Sequence, residues 1–348
     1  MSTRHACNYS NYSSIWPLFA PSGRAAFAKG KACAADAGCD TNAVPNLVNS
    51  FFSLLAALAY FSAATFVKAA DPFFKTNDVV ALIGGEDMVA AAESGHLESL
   101  LVRAMPDARL RFRSLAWEGD TVFEQPRDLN YPTLEQQLDE IGATVVIVQF
   151  GQMESLAGES SIAAFAAAYG KLVDQLASGG KRRLALIAPT PVAARSPAAR
   201  RFKFLEAYSD AVREVAAQRG LRFVAPDDRA EPSTANFRDG IHLSDEGQAA
   251  LASRTAEVLS VNGRAGEPAS TDALRFGDSI RAKNRLWFHY TRPQNWAFLN
   301  GDRTSQPSSR DHRDPSKRWF PEEMKQWLPL IDAKEQEIAK LAAHFQSK

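Results

Sequence analysis

Ala143-Thr144-Val145-Val146-Ile147-Val148-Gln149-Phe150 is a nearly unbroken apolar, β-branched run that ends at Gly151. A segment of this length and composition predicts a strand buried on both faces rather than one with a wet side. Helical residues 133–141 precede it, and a helical stretch over 161–177 follows, closed by Gly179-Gly180. The same alternation extends in both directions. Upstream, Val79–Ile83 runs into Gly84-Gly85, helical spacing covers 88–104 (Met88, Val89, Leu97, Leu100, Leu101) until Pro106, and Leu110–Leu115 alternates like a strand. Downstream lie Leu184–Ala188, a helix over 198–219 ending at Gly220, and Leu221–Val224. Near-continuous apolar strands separated by helices predict an α/β fold, with a five-stranded parallel sheet covered on both faces in three α/β/α layers.

In such sheets ligands bind beyond the carboxyl ends of the strands. That rule selects Gly84–Asp87, Trp117–Thr121, Gly151–Ser155, Pro189–Pro191 and Asp239–His242 as segments to inspect. The last is the most telling. An Asp three residues before a His, just ahead of a helix, can set one carboxylate against one imidazole, so that Asp239 fixes the tautomer and His242 moves protons. The plainer reading is a surface turn in which Ser244 caps the next helix.

Composition narrows the function classes. Forty basic residues balance forty acidic ones, so no bulk field draws the chain to nucleic acid or an anionic membrane. The first 70 residues read as a leader that holds Cys7, Cys33 and Cys39 and an uncharged apolar run from Phe51 to Val67. Val67-Lys68-Ala69 matches the small-residue pattern that signal peptidases accept. A membrane-anchoring helix over 51–67 is the rival reading, because the run is near the lower limit for spanning. The run sits unusually far from Met1 for a signal, which suggests that initiation lies downstream, near Val44 or Val48. No cysteine follows Ala69, which suits an exported protein without proving export. The leader cysteines lack zinc-site spacing.

With these segments in order, residues 78–262 resemble the SGNH (GDSL-type) hydrolase family, and within it the secreted subgroup of planctomycete-type bacteria. The blocks that carry the resemblance are Gly84, Gly95-His96-Leu97-Glu98, Trp117-Glu118-Gly119-Asp120-Thr121-Val122, Gly151-Gln152-Met153-Glu154-Ser155 and Asp239-x-x-His242. The resemblance implies a flavodoxin-like sheet and hydrolysis of an ester, such as an acyl group on a carbohydrate or small molecule. It implies His242 as base, Asp239 as its orienting partner, and an oxyanion pocket around Gly119 and Gly151. It implies no cofactor and no metal.

Two departures put the usual acyl-enzyme route in doubt. Glu86 stands where the nucleophilic hydroxyl belongs, and Met153, preceded by Gln152, stands where an Asn donor belongs. A carboxylate at Glu86 places negative charge where an oxyanion must form, and Met153 offers no donor. Glu86 then either activates water beside His242 or is a solvated turn residue in a pocket that has lost its reaction. Glu154 either lines the pocket or caps the following turn. Asp87 is the other ionisable group at this turn, and with Glu86 and Asp239 it could attract a metal, although the spacing does not enforce one. His96 reads as structural rather than catalytic, and Asp120-Thr121 as the start of a turn or helix.

Gly277-Asp278-Ser279-Ile280 spells the nucleophile motif literally, but it follows the His block and no strand-like run precedes it. It reads as the N-cap of a helix over 280–290. Residues 272–348 form an aromatic-rich extension with Trp287, Trp296, Trp319 and an amphipathic helix over 321–343, whose apolar face takes in Met324, Trp327, Leu328, Ile331, Ile338 and Leu341. Its aromatics either pack onto the core or offer a stacking surface for a sugar. The expected protein is an exported ester hydrolase with an altered nucleophile. The alternative is a non-catalytic carbohydrate-binding or scaffold protein of the same fold.

Overall fold

The computed structural model describes residues 72–346 apart from Asp128, 226–233, 260 and 262–270. The expected leader, its apolar run and the three cysteines lie outside the described residues. Each apolar run becomes a strand: β1 (Val79–Gly84), β2 (Arg111–Ser114), β3 (Val145–Gln149), β4 (Arg183–Ile187) and β5 (Arg222–Val224). They pair in the order β2-β1-β3-β4-β5, every pair parallel. The chain steps outward from β1 to β2 and then crosses to β3 on the other side, so strand direction of travel reverses beside β1. Ligands of doubly wound sheets bind at such a switch point. Both strands flanking it, β1 and β3, are buried at every position, as their composition predicts.

Alternate residues feed two separate cores. Val80, Leu82, Val145, Ile147, Ala185 and Ile187 face one side, where α1 (Glu86–Ser94), α2 (His96–Ala104) and α6 (Asp245–Val258) pack. Ala81, Ile83, Val146, Val148, Leu184 and Leu186 face the other, against α3 (Leu134–Glu140), α4 (Ile162–Ala177) and α5 (Leu205–Gln218). This is the three-layer α/β/α arrangement with helices on both faces of the sheet.

The helix expected over 88–104 is divided. Gly95 takes φ +71°, in the left-handed region, and ends α1 where α2 begins. A Cβ there would stand 2.9 Å from Ile280 Cγ2, so glycine serves both the turn and the close approach of a later helix. The stretch expected as one helix from 198 starts instead as a 3-10 segment (Pro197–Phe202), opened by the Ser196 hydroxyl accepting from Ala198 N–H, before α5.

The extension consists of α7 (Thr271–Thr291), the short α8 (Trp296–Leu299), α9 (Trp319–Lys325) and α10 (Trp327–Gln346). Helix α7 starts well before the literal Gly-Asp-Ser motif, so neither Asp278 nor Ser279 caps it, contrary to expectation. Asp278 instead pairs with Arg281 at 2.6 Å, and the buried Ser279 hydroxyl donates to Glu337 of α10 at 2.9 Å. Ile331 and Ile338 are buried as expected on the inner face of α10, whereas Leu328 is exposed. Among the described residues no helix is long and apolar enough to cross a membrane.

Helix α7 lies along the open edge of β2. The outward carbonyls of an edge strand need donors or water. Lys283 Nζ donates to Phe112 O at 3.2 Å, Trp287 Nε1 donates to Ser114 O at 2.8 Å, and the Arg292 guanidinium donates to Ala116 O. Lys283 and Trp287, one turn apart on α7, and Arg292 just beyond its end thus serve every second residue from 112 to 116. Lys283 also sits against both Glu98 oxygens at 2.8 and 2.9 Å with no solvent exposure. Burial pushes its pKa down, and the Glu98 carboxylate pulls it back toward the charged state.

Removing one member of a fully buried ion pair leaves the other charge uncompensated, at a cost of about 3–5 kcal/mol. Lys283→Met is expected to destabilise by that amount in urea denaturation, and Lys283→Met with Glu98→Leu to recover most of it. Single and double variants of equal stability would show that the pair is not desolvated.

Candidate active site

The five strand-end loops selected from the sequence meet at one edge of the sheet. After β1, Gly85 leads into α1, whose first turn carries Glu86 and Asp87 beneath the positive end of the helix. The next loop touches this turn: Trp117 N–H donates to Gly84 O at 3.1 Å, and a Cβ on Gly85 would lie 3.1 Å from Asp120 O. Asp120 is buried and grips Arg127 through both oxygens, at 2.6 and 2.8 Å. Burial raises its pKa, against the pull of Arg127. Thr121 forms a turn rather than a helix, its hydroxyl accepting from Phe123 and Glu124 N–H.

The loop after β3 is tied to its neighbours by side chains. Glu154 is buried, accepting from Val122 N–H through one oxygen and from Gly151 N–H through the other, both at 2.9 Å. Burial raises its pKa, and those two amides lower it. Gln152 donates from its amide to Thr190 O at 3.1 Å and Ile241 O at 3.4 Å, stitching this loop to the fourth and fifth ones. Met153 turns outward and is 56 % exposed. Of the pocket residues expected here, Gly151 therefore has its N–H occupied, Glu154 and Gln152 hold backbone, and Met153 faces solvent.

Asp239 and His242 form the expected pair. Asp239 Oδ1 accepts from Ile241 and His242 N–H, both at 2.9 Å, and Oδ2 meets His242 Nδ1 at 2.7 Å. The His242 amide, then its imidazole, then the Ile241 amide hold the Asp239 carboxyl well below the usual carboxylate range. Gly240 between them takes φ +86°, and a Cβ there would fall 2.7 Å from Ser196 Cβ, so the turn requires glycine. With Nδ1–H given to Asp239, Nε2 is the basic nitrogen, and it makes no hydrogen bond with any described residue.

His242 faces the nucleophile turn electrostatically through Asp87. Although Asp87 keeps some solvent contact, burial raises its carboxyl to about 6. A hydrogen bond with Thr190 and the nearby His242 oppose that rise, while Glu86 and Glu154 add to it. Thr190 was missed by sequence reasoning except as part of the fourth strand end. Its hydroxyl is buried, accepts from Gln149 Nε2 at 3.1 Å and serves Asp87, so it is no free nucleophile. Glu86 forms no hydrogen bond or ion pair with any described residue, and Gly119 is exposed with open space around its Cα. Among the described residues neither the Glu86 nor the Gly119 amide donates a hydrogen bond, and their loops touch through Gly84, Gly85, Trp117 and Asp120. His96 lies elsewhere, its Nε2 2.8 Å from Asp245 Oδ1, and joins the starts of α2 and α6. Among the described residues no group of three or more His, Cys, Asp or Glu could hold a metal ion.

Residues 81–250 match the GDSL-like Lipase/Acylhydrolase family. This segment is a GDSL-like domain. The match takes in all five strand-end loops, so the domain belongs to a family of esterase-type hydrolases. Solved structures similar to the chain include a lipase/acylhydrolase from Enterococcus faecalis, 19 % identical with TM-score 0.42 over 55 % of this chain and 99 % of that one. An acetylxylan esterase from Geobacillus stearothermophilus is 14 % identical with TM-score 0.41, over 56 % and 99 %. A gut microbial diltiazem-metabolizing enzyme is 12 % identical with TM-score 0.49, over 78 % and 95 %. No curated protein matches.

An acid whose folded pKa is raised stabilises the GDSL-like domain while protonated, and that contribution is lost as pH climbs from about 4 through about 6. Asp87→Asn, neutral throughout, is expected to raise the melting temperature at about pH 8 and to change it little at about pH 3.5. An equal gain at both pH values would contradict a desolvated Asp87.

Proposed function

We propose that the chain is an ester hydrolase in which the Asp239–His242 pair activates water directly, in place of the missing serine. The observation that carries this reading is the pair itself: Nδ1 locked to Asp239 at 2.7 Å and Nε2 unbonded among the described residues. His242 Nε2 takes a proton from water as the oxygen attacks the acyl carbon. The resulting imidazolium is stabilised by Asp239 and then returns the proton to the departing alkoxide. The unengaged amides of Gly119 and of Glu86, the latter at the start of α1, face the developing oxyanion. The Glu86 carboxylate accepts a hydrogen bond from the other O–H of the attacking water, which stays on the acid product. The substrate class is an acyl ester of a carbohydrate or small molecule. Phe123, Met153 and Leu156, on or next to the loops after β2 and β3, are exposed apolar side chains that suit a sugar face or an acyl chain. Export after cleavage near Ala69 belongs to the same proposal, and N-terminal sequencing of the protein from its host tests it.

A non-catalytic module that binds carbohydrate or serves as a scaffold is the second reading. It is favoured by Glu154 occupying the Gly151 amide and by the outward Met153, which together remove two donors from the oxyanion region. Assays with nitrophenyl acetate and acetylated sugars separate the two. The hydrolase reading expects turnover that falls about 100-fold or more in His242→Ala. It also expects Glu86→Ser to raise the rate by restoring a hydroxyl beside the base. Turnover that survives His242→Ala, or none in the native protein, favours the binding module.

A further inference from the structure

Arg292, the residue that follows α7, contacts three consecutive residues of the β2-end loop. One guanidinium nitrogen donates to Ala116 O, another meets Glu118 Oε2 at 2.8 Å, and the guanidinium carbon stands 4.6 Å from the centre of the Trp117 ring. Phe288, one turn back on α7, packs against the same guanidinium at 4.6 Å. From the other side of the loop Arg127 lies over Trp117 at 4.3 Å while gripping Asp120. Tyr131, edge-on to Trp117 at 5.9 Å, donates its hydroxyl to Thr291 O at 2.7 Å. Residues 116, 117, 118 and 120 are therefore each held by a side chain, and Gly119 is the unheld member between them. Residues 117–120 form a turn closed by Asp120 N–H donating to Trp117 O at 3.0 Å, and nothing lies within 4 Å of a Cβ at Gly119, so the pose of its amide depends on how the flanking residues of the turn are held.

We infer that Arg292 is a positioning residue for the Gly119 amide, which makes the C-terminal extension a working part of the active site. The chemistry of arginine fits the task. Its planar fork can satisfy a carbonyl and a carboxylate at once while its faces stack on two aromatic rings, which a lysine ammonium cannot do. An oxyanion donor acts only if it is aimed at the place where charge develops, and losing one costs on the order of 100–1000-fold in rate. A donor left in place but poorly aimed is expected to lose part of that. The inference rests on the hydrolase reading for its consequence in catalysis, but not for its claim about the loop.

The test uses the full chain, with Arg292→Ala and Arg292→Lys beside His242→Ala. Amide hydrogen exchange reports the loop and steady-state kinetics report the reaction. Arg292→Ala is expected to speed exchange across 116–121 by about 10-fold or more while leaving the β1 and β3 amides unchanged. It is also expected to lower kcat by about 10–100-fold with KM within about twofold. Arg292→Lys, which keeps the charge beside Glu118, is expected to fall between. It carries the comparison if the alanine variant proves too unstable. Unchanged exchange in both variants overturns the inference whatever the activity. Faster exchange with unchanged kcat in an enzyme that depends on His242 overturns the positioning role. If the native protein shows no turnover dependent on His242, the hydrolase reading fails by itself, and exchange alone still decides whether Arg292 holds the loop.

Discussion

The outer edge of β2 is the constraint around which the rest of this molecule is arranged. A parallel sheet ends in strands whose outward carbonyls have no partner, and here those at 112 and 114 are answered by α7 and that at 116 by Arg292 just beyond its end. Four residues of helix rise about 6 Å and two residues of strand about 6.6 Å, close enough for one side chain per turn to meet every second carbonyl. The price of that match is a lysine with no solvent exposure, which Glu98 makes tolerable. Because helix and strand keep this register, Arg292 arrives beside the Trp117–Thr121 loop as a consequence of it.

The site itself is a cluster of carboxylates kept apart by their surroundings. Asp239 is held ionised by three donors, Asp87 is pushed toward protonation by burial, and Glu154 is spent on two backbone amides. Glu86 alone is unengaged. Four acidic side chains around one imidazole would repel an ester oxyanion if all were charged and free. Their differing environments keep those charges from all being present at once, as the proposed hydrolysis requires.

Much of this was readable in the sequence, for reasons that can be stated residue by residue. β1 and β3 are buried on both faces, so their apolar runs are unbroken and the sheet follows from them. Asp239 and His242 are three residues apart, so a local pattern suffices. What lay out of reach was long-range. Glu154 bonds Val122 across 32 positions and Lys283 bonds Glu98 across 185, and no periodicity encodes either. The Gly95-His96-Leu97-Glu98 block was legible as a pattern, yet its meaning is structural: a turn at Gly95, Asp245 on His96, Lys283 on Glu98. The literal Gly-Asp-Ser at 277–279 misled on helix boundaries because the helix begins upstream of it.

The separation between Phe112 and Lys283 also bears on biosynthesis. The two partners are 171 residues apart, so at about 5–20 residues per second a ribosome needs roughly 10–30 s to deliver the helix after the strand. For that interval the nascent sheet has a raw margin open to any other extended chain, including a neighbouring copy on the same polysome. The sequence distance between strand and helix, more than the size of the domain, sets how long that margin stays uncovered.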